Sequence, residues 1–151
     1  MSICLLDTGI LCELLEIPGH CQRPDEIAEG LRLRIENRES LLLPMSAIVE
    51  TGNHIGRSGD GRQRRGAAER FVQLVGQALR GQTPFTPTRS FDAEELLGWL
   101  GEFPDWVKQR SGLADLTIKK EFDRQCQLNR MRRVYIWSLD RHLSSYDRRP
   151  R

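Results

Sequence analysis

The chain has 151 residues, a formal net charge of +2, 38% hydrophobic and 29% charged residues, which is the make-up of one globular domain able to bury a core. That excludes a polycation, and Cys4, Cys12, Cys21 and Cys126 are too few and scattered for a disulfide scaffold. No apolar run approaches the ~20 residues that cross a bilayer, and the start of the chain lacks the basic region and small-residue cleavage site of a signal peptide. A cytoplasmic protein with no membrane partner is expected.

Residues 3–6 are an apolar run ending at Asp7, the pattern of a buried parallel strand. A helix over 8–17 follows, with Ile10, Leu11, Leu14 and Leu15 on one stripe and Pro18-Gly19 as its stop. His20-Cys21, with Cys12 nearby, matches no zinc spacing, so free thiols are expected. Ile27, Leu31 and Ile35 predict a second helix over 25–37, opened by Pro24. Residues 41–43 form the second strand. Ser46 is read as the N-cap of a helix over 47–57 that carries Glu50.

Ser58-Gly59-Asp60-Gly61 turns the chain into a long helix over 62–79, with Ala67, Phe71, Leu74, Val75 and Leu79 along one face. Residues 81–89 read as a loop with a short strand around Phe85. Residues 92–109 are helical, with Leu96, Leu97, Trp99 and Leu100 apolar and a break at Pro104. A further helix covers 113–129, and 133–137 is the last strand. This order predicts a single α/β domain over 1–151, a three-layer sandwich around a mostly parallel sheet.

Four acids stand out against that frame. Asp7 and Asp140 each follow an apolar strand, where open parallel sheets build their sites. Glu50 interrupts Ile48-Val49 near the start of its helix, and Asp115 sits among Leu113, Ala114 and Leu116. Asp115 also fits a plain first-turn acid that complements a helix dipole. Gathered together, such carboxylates repel and lose solvent, a cost that a hard cation such as Mg²⁺ or Mn²⁺ relieves. Metal-assisted hydrolysis of a phosphodiester needs no serine, cysteine or histidine catalyst, and His20, His54 and His142 lie in no catalytic motif.

The four motifs together resemble the PIN domain family. Leu5-Leu6-Asp7-Thr8-Gly9-Ile10-Leu11 is similar to its opening strand, and Pro44-Met45-Ser46-Ala47-Ile48-Val49-Glu50 to its second motif. Leu113-Ala114-Asp115 corresponds to the third acid, and Ile136-Trp137-Ser138-Leu139-Asp140 to the final one. The resemblance implies a Mg²⁺- or Mn²⁺-dependent endoribonuclease acting on RNA, less often DNA. Asp7, Glu50, Asp115 and Asp140 would be metal ligands, Ser138 would orient a ligand or phosphate, and Thr8 would be structural. A VapC-like toxin with an antitoxin or other protein partner, and a homodimer, both fit the size. One departure is Gly9, which stands where the family usually carries Asn.

Arg57, Arg62, Arg64, Arg65 and Arg70 form a basic cluster that suits phosphates, or equally a solvated helix face. Trp99 and Trp137 are expected in the core and Trp106 at the surface. Residues 81–110 match no motif and are read as a cover over the groove. A haloacid-dehalogenase-type enzyme is disfavoured because position 9 is not Asp. The remaining alternative is a weakened module of the same fold that binds nucleic acid or a protein without cleaving.

Overall fold

In the computed structural model, which describes residues 1–151, strand β1 (Ile3–Leu6) sends Cys4 and Leu6 into one apolar core and Ile3 and Leu5 into another. Successive strand side chains point to opposite faces of a sheet, so an unbroken apolar run means that both faces are covered. β1 is the middle of five strands in the order β3-β2-β1-β4-β5. It pairs in parallel with β2 (Ser40–Leu43) and with β4 (Val134–Trp137). β2 pairs in parallel with β3 (Phe85–Pro87), an edge strand, where a proline is tolerated. The two-residue β5 (Asp147–Arg148) runs antiparallel to β4, an element absent from the sequence reading.

The Cys4 and Leu6 face is covered by α1 (Thr8–Leu14), α2 (Pro24–Glu36), α3 (Met45–Gly56) and α4 (Gly61–Leu79), through residues such as Ile10, Leu11, Ile27, Ile48 and Val75. After α5 (Ala93–Leu100), the other face is covered by α6 (Phe103–Trp106), α7 (Leu113–Leu128) and α8 (Arg141–Ser144), through Trp106, Leu116, Ile118, Phe122 and Leu143. Helices on both faces of a mostly parallel sheet are what a three-layer sandwich requires. The chain reaches β2 from β1 over one face and β4 from β3 over the other. The strand order therefore reverses between β1 and β4, and the crevice beyond their carboxyl ends is where such sheets bind ligands.

Several predicted details change. α1 ends at Leu14, and Glu16 then turns the chain with φ 52°. Ser46 does not cap α3; Pro44 occupies that position without a side-chain bond. α4 is capped instead by Asp60, whose carboxylate accepts the Gln63 N–H at 2.8 Å. Ile35 and Leu79 lie in the last turns of their helices and are 45% and 59% exposed. The 92–109 helix breaks at Gly101; Pro104 opens α6, where a missing N–H is harmless. No residue of α5 is buried, and Leu97 is 72% exposed.

Trp106, expected at the surface, is buried because its indole N–H reaches the Gly112 carbonyl at 3.0 Å. Trp99 and Trp137 are half-buried, and the Arg34 guanidinium lies 3.7 Å over the Trp137 ring. All four cysteines are free thiols, Cys4 and Cys12 buried. No helix is long and apolar enough to cross a membrane.

Candidate active site

A cleft of about 390 Å³ is lined by Asp7, Glu50 and Asp115, with Thr8, His20 and His54 beside them. Asp7 immediately follows β1, and its N–H continues the β1–β4 ladder by donating to the Trp137 carbonyl at 3.1 Å. Its side chain is only 7% exposed. Oδ1 accepts the Thr8 N–H at 2.6 Å as the cap of α1, and Oδ2 accepts the Ser138 hydroxyl at 2.6 Å. Loss of solvent pushes the Asp7 carboxyl up from 3.8 to about 6. The Ser138 and Thr8 bonds pull it down, while the charges of Asp115 and Glu50 push it up further.

Glu50 is brought to Asp7 by the neighbouring residue. The Thr8 hydroxyl donates to Glu50 Oε2 at 2.9 Å, so Thr8, expected to be structural, also joins the two carboxylates. Ile48 is buried and Val49 is 61% exposed, which sets the half-buried Glu50 at the margin of the packed face of α3. Asp115 lies in the first turn of α7 and accepts the Gly112 N–H at 3.4 Å. Its cap position and its place in the cleft are one arrangement. Burial raises its pKa, as do the charges of Glu50 and Asp140, against the Gly112 N–H and His142.

Asp140 is placed differently. It is exposed, does not line the cleft, and caps α8 by accepting the Leu143 N–H at 3.0 Å. Ser138 links it to the site, since Oγ accepts the Asp140 N–H at 2.9 Å while donating to Asp7. Three of the four predicted acids therefore share the cleft and the fourth stands at its rim. No three Asp, Glu, His or Cys side chains are posed closely enough to hold one ion as they stand. The three carboxylates are oxygen donors that suit Mg²⁺ or Mn²⁺, and the Asp7 carboxyl, held up by burial first and by the charges of Asp115 and Glu50 after it, is one that a cation would relieve. At Gly9 a Cβ would meet Asp7 Oδ2 at 3.9 Å, so a side chain fits there and its absence widens the cleft.

Arg57, Arg62, Arg64 and Arg65 are exposed and do not line the cleft. Arg64 bonds the Gly59 carbonyl at 2.6 Å, and Arg65 pairs with Glu69 at 3.1 Å. Arg70 binds the carbonyls of Leu15 and Glu16 beyond the end of α1. In the 81–110 segment, expected to cover the groove, Ser90 and Phe91 line a pocket that Glu50 also lines, while Arg89 and Glu95 border a further cleft with Lys120, Glu121 and Arg124.

Three residues at the acidic cleft escaped the sequence reading. Glu13 is 3% exposed, and its carboxylate accepts the N–H groups of Gln22 and Arg23 at 2.9–3.1 Å. Burial pushes that carboxyl up, but the two amides outweigh it and hold it below its usual range. An acid within the apolar stripe of α1 was the available signal. The His20 and His54 rings lie tilted against each other with centroids 4.3 Å apart, and nothing in the sequence pairs them. No protein-family model, curated protein or solved structure matches the chain.

Proposed function

We propose that this protein is a divalent-metal-dependent nuclease of the PIN type that hydrolyses phosphodiesters of RNA. The observation that carries the reading is the convergence of Asp7, Glu50 and Asp115, from three separate segments, on a cleft at the reversal of strand order. Asp7, Glu50 and Asp115 would hold Mg²⁺ or Mn²⁺, and Asp140 would contribute from the rim through water. When bound, the ion supplies positive charge that stabilises a phosphoryl oxygen and lowers the pKa of water. Ion binding requires the side chains of Glu50 or Asp115 to swing toward Asp7, which is fixed by its bonds to Thr8 and Ser138.

Ser138 keeps one Asp7 oxygen oriented and favours its ionised form, the form a cation needs. The Thr8 hydroxyl likewise keeps one oxygen of Glu50 oriented. The exposed arginines 57, 62, 64 and 65 lie outside the cleft and suit the flanking phosphates of a longer strand. A toxin paired with an antitoxin, active as a monomer or homodimer in the cytoplasm, is the setting the family resemblance suggests.

Labelled single-stranded RNA, incubated with Mn²⁺ or with chelator, tests the reading. Cleavage that requires the ion and disappears in both Asp7→Asn and Asp115→Asn supports it. Absence of cleavage by the wild-type chain under any divalent ion refutes it. The second reading, a module that binds without cutting, is favoured by the capping role of Asp140 and by Gly9. Metal-independent RNA binding that survives both substitutions selects it.

A further inference from the structure

His20 is an exposed aromatic ring on a segment held unusually firmly for a loop. Gly19, at φ +79°, turns the chain into it, and the His20 N–H donates to the Ile17 carbonyl at 2.9 Å. The buried Glu13 carboxylate grips the next two amides, those of Gln22 and Arg23, and the Cys21 thiol reaches the Glu13 carbonyl at 3.8 Å. Arg70 ties down the carbonyls of Leu15 and Glu16 just upstream. Burying a carboxylate is costly without full hydrogen bonding, and here that bonding is devoted to a loop at the lip of the acidic cleft.

The ring that this loop presents is backed by another. His54 comes from α3, one turn after Glu50, and lies 4.3 Å from His20 with an interplanar angle of 32°. Both rings line the same cleft as the three acids. The exposed His20 ring, with the half-buried His54 ring tilted against it, offers an aromatic face beside an oxygen-lined site, and aromatic side chains, histidine included, are what unpaired nucleobases stack on. A duplex keeps its bases stacked on one another and cannot offer one to such a surface.

We propose that His20, supported by His54, is a stacking platform that positions one unpaired base of a single-stranded nucleic acid next to the acidic cleft. His20 is a positioning residue and takes no part in proton transfer. The inference rests on the nuclease reading for its choice of ligand, but its test does not depend on turnover.

A fluorescent hexanucleotide, as RNA, as DNA and as the matching duplex, is titrated with the full chain in Ca²⁺. Copies carrying 2-aminopurine at each position report stacking by quenching. The expected result is binding of both single strands about tenfold tighter than of the duplex, with quenching confined to one position. His20→Ala weakens binding about tenfold and removes the quenching, whereas His20→Phe keeps both within about twofold. Equal affinity for duplex, wild-type affinity in His20→Ala, or failure of His20→Phe to restore either signal overturns the platform. So does the absence of any binding. If the stacking signature is present and wild-type protein never cleaves with Mn²⁺, the nuclease reading falls and the platform stands.

Discussion

Two clefts of about 390 Å³ each border α3 and treat charge in opposite ways. In the cleft beside its N-terminus, opposite charges meet: Arg89 pairs with Glu95 at 2.8 Å and Arg124 with Glu121 at 2.9 Å, and Lys119 nearby pairs with Asp123 at 2.6 Å. In the cleft that holds Glu50, three carboxylates share hydroxyl and amide donors and no Lys or Arg, with the His54 Nε2 3.9 Å from Glu50 as the one ring nitrogen in reach; burial, helped by the neighbouring carboxylates, pushes Asp7 up to about 6. Partly exposed pairs of the first kind contribute roughly 0–1 kcal/mol each and leave little charge to offer. The second arrangement destabilises the folded chain and keeps its negative charge available for a cation. Local volume is the same, and chemistry separates a structural seam from a candidate site.

The largest contrast should appear in cleavage. Asp7→Asn or Asp115→Asn is expected to lower kcat/KM on RNA by more than about a hundredfold. Arg124→Gln, in the paired cleft, should change it by less than about twofold. Comparable losses in the two clefts would erase the distinction.

Stability should move the other way. The folded value of Asp7 lies above its unfolded value of 3.8, so between about 4 and 6 the folded chain keeps a proton that the unfolded chain has released. Stability from this group therefore falls as pH rises through that window, by up to about 3 kcal/mol at pH 7. Asp7→Asn should raise Tm at pH 7 by several degrees and leave it unchanged near pH 4. Glu121→Gln, which breaks a pair, should instead lower stability by about 1 kcal/mol. Thermal melts of both variants across this pH range read the difference.

Smaller effects sharpen the picture. Ser138→Ala removes the hydroxyl that favours ionised Asp7 and is expected to weaken Mn²⁺ binding about tenfold by calorimetry. Asp140→Ala removes a helix cap and should cost about 1 kcal/mol in a denaturant melt, while Asp140→Asn keeps the cap and stays within a few tenths.

Asp7 was legible as a strand-end acid, because an unbroken apolar run marks a buried parallel strand, but an Asp after a strand also caps helices, as Asp7 and Asp140 both do. Strands and helices were legible wherever periodicity was long, as in α4 and α7. Strand order was not, since which neighbour β1 chooses depends on crossovers that no local pattern encodes. Leu79 and Leu97 were misjudged because periodicity marks a face but not where the core beneath it ends. Trp106 was misjudged because its partner, the Gly112 carbonyl, belongs to a turn beyond its own helix. Asp140 looked equivalent to Asp7 in sequence; the difference is that the buried Asp7 lines the cleft and the exposed Asp140 does not. The His20–His54 contact was invisible, for the two rings meet only after β1 and β2 have paired.

Carbon-13 NMR of the Asp7 side-chain carboxyl across pH, with and without Mg²⁺, most directly addresses the claim that burial and neighbouring carboxylates hold Asp7 up and that a cation relieves it. The account predicts titration near 6 in the absence of the ion and a marked downward shift when Mg²⁺ is added, the shift being lost in Asp115→Asn. An Asp7 that titrates near 4 and ignores Mg²⁺ would contradict it.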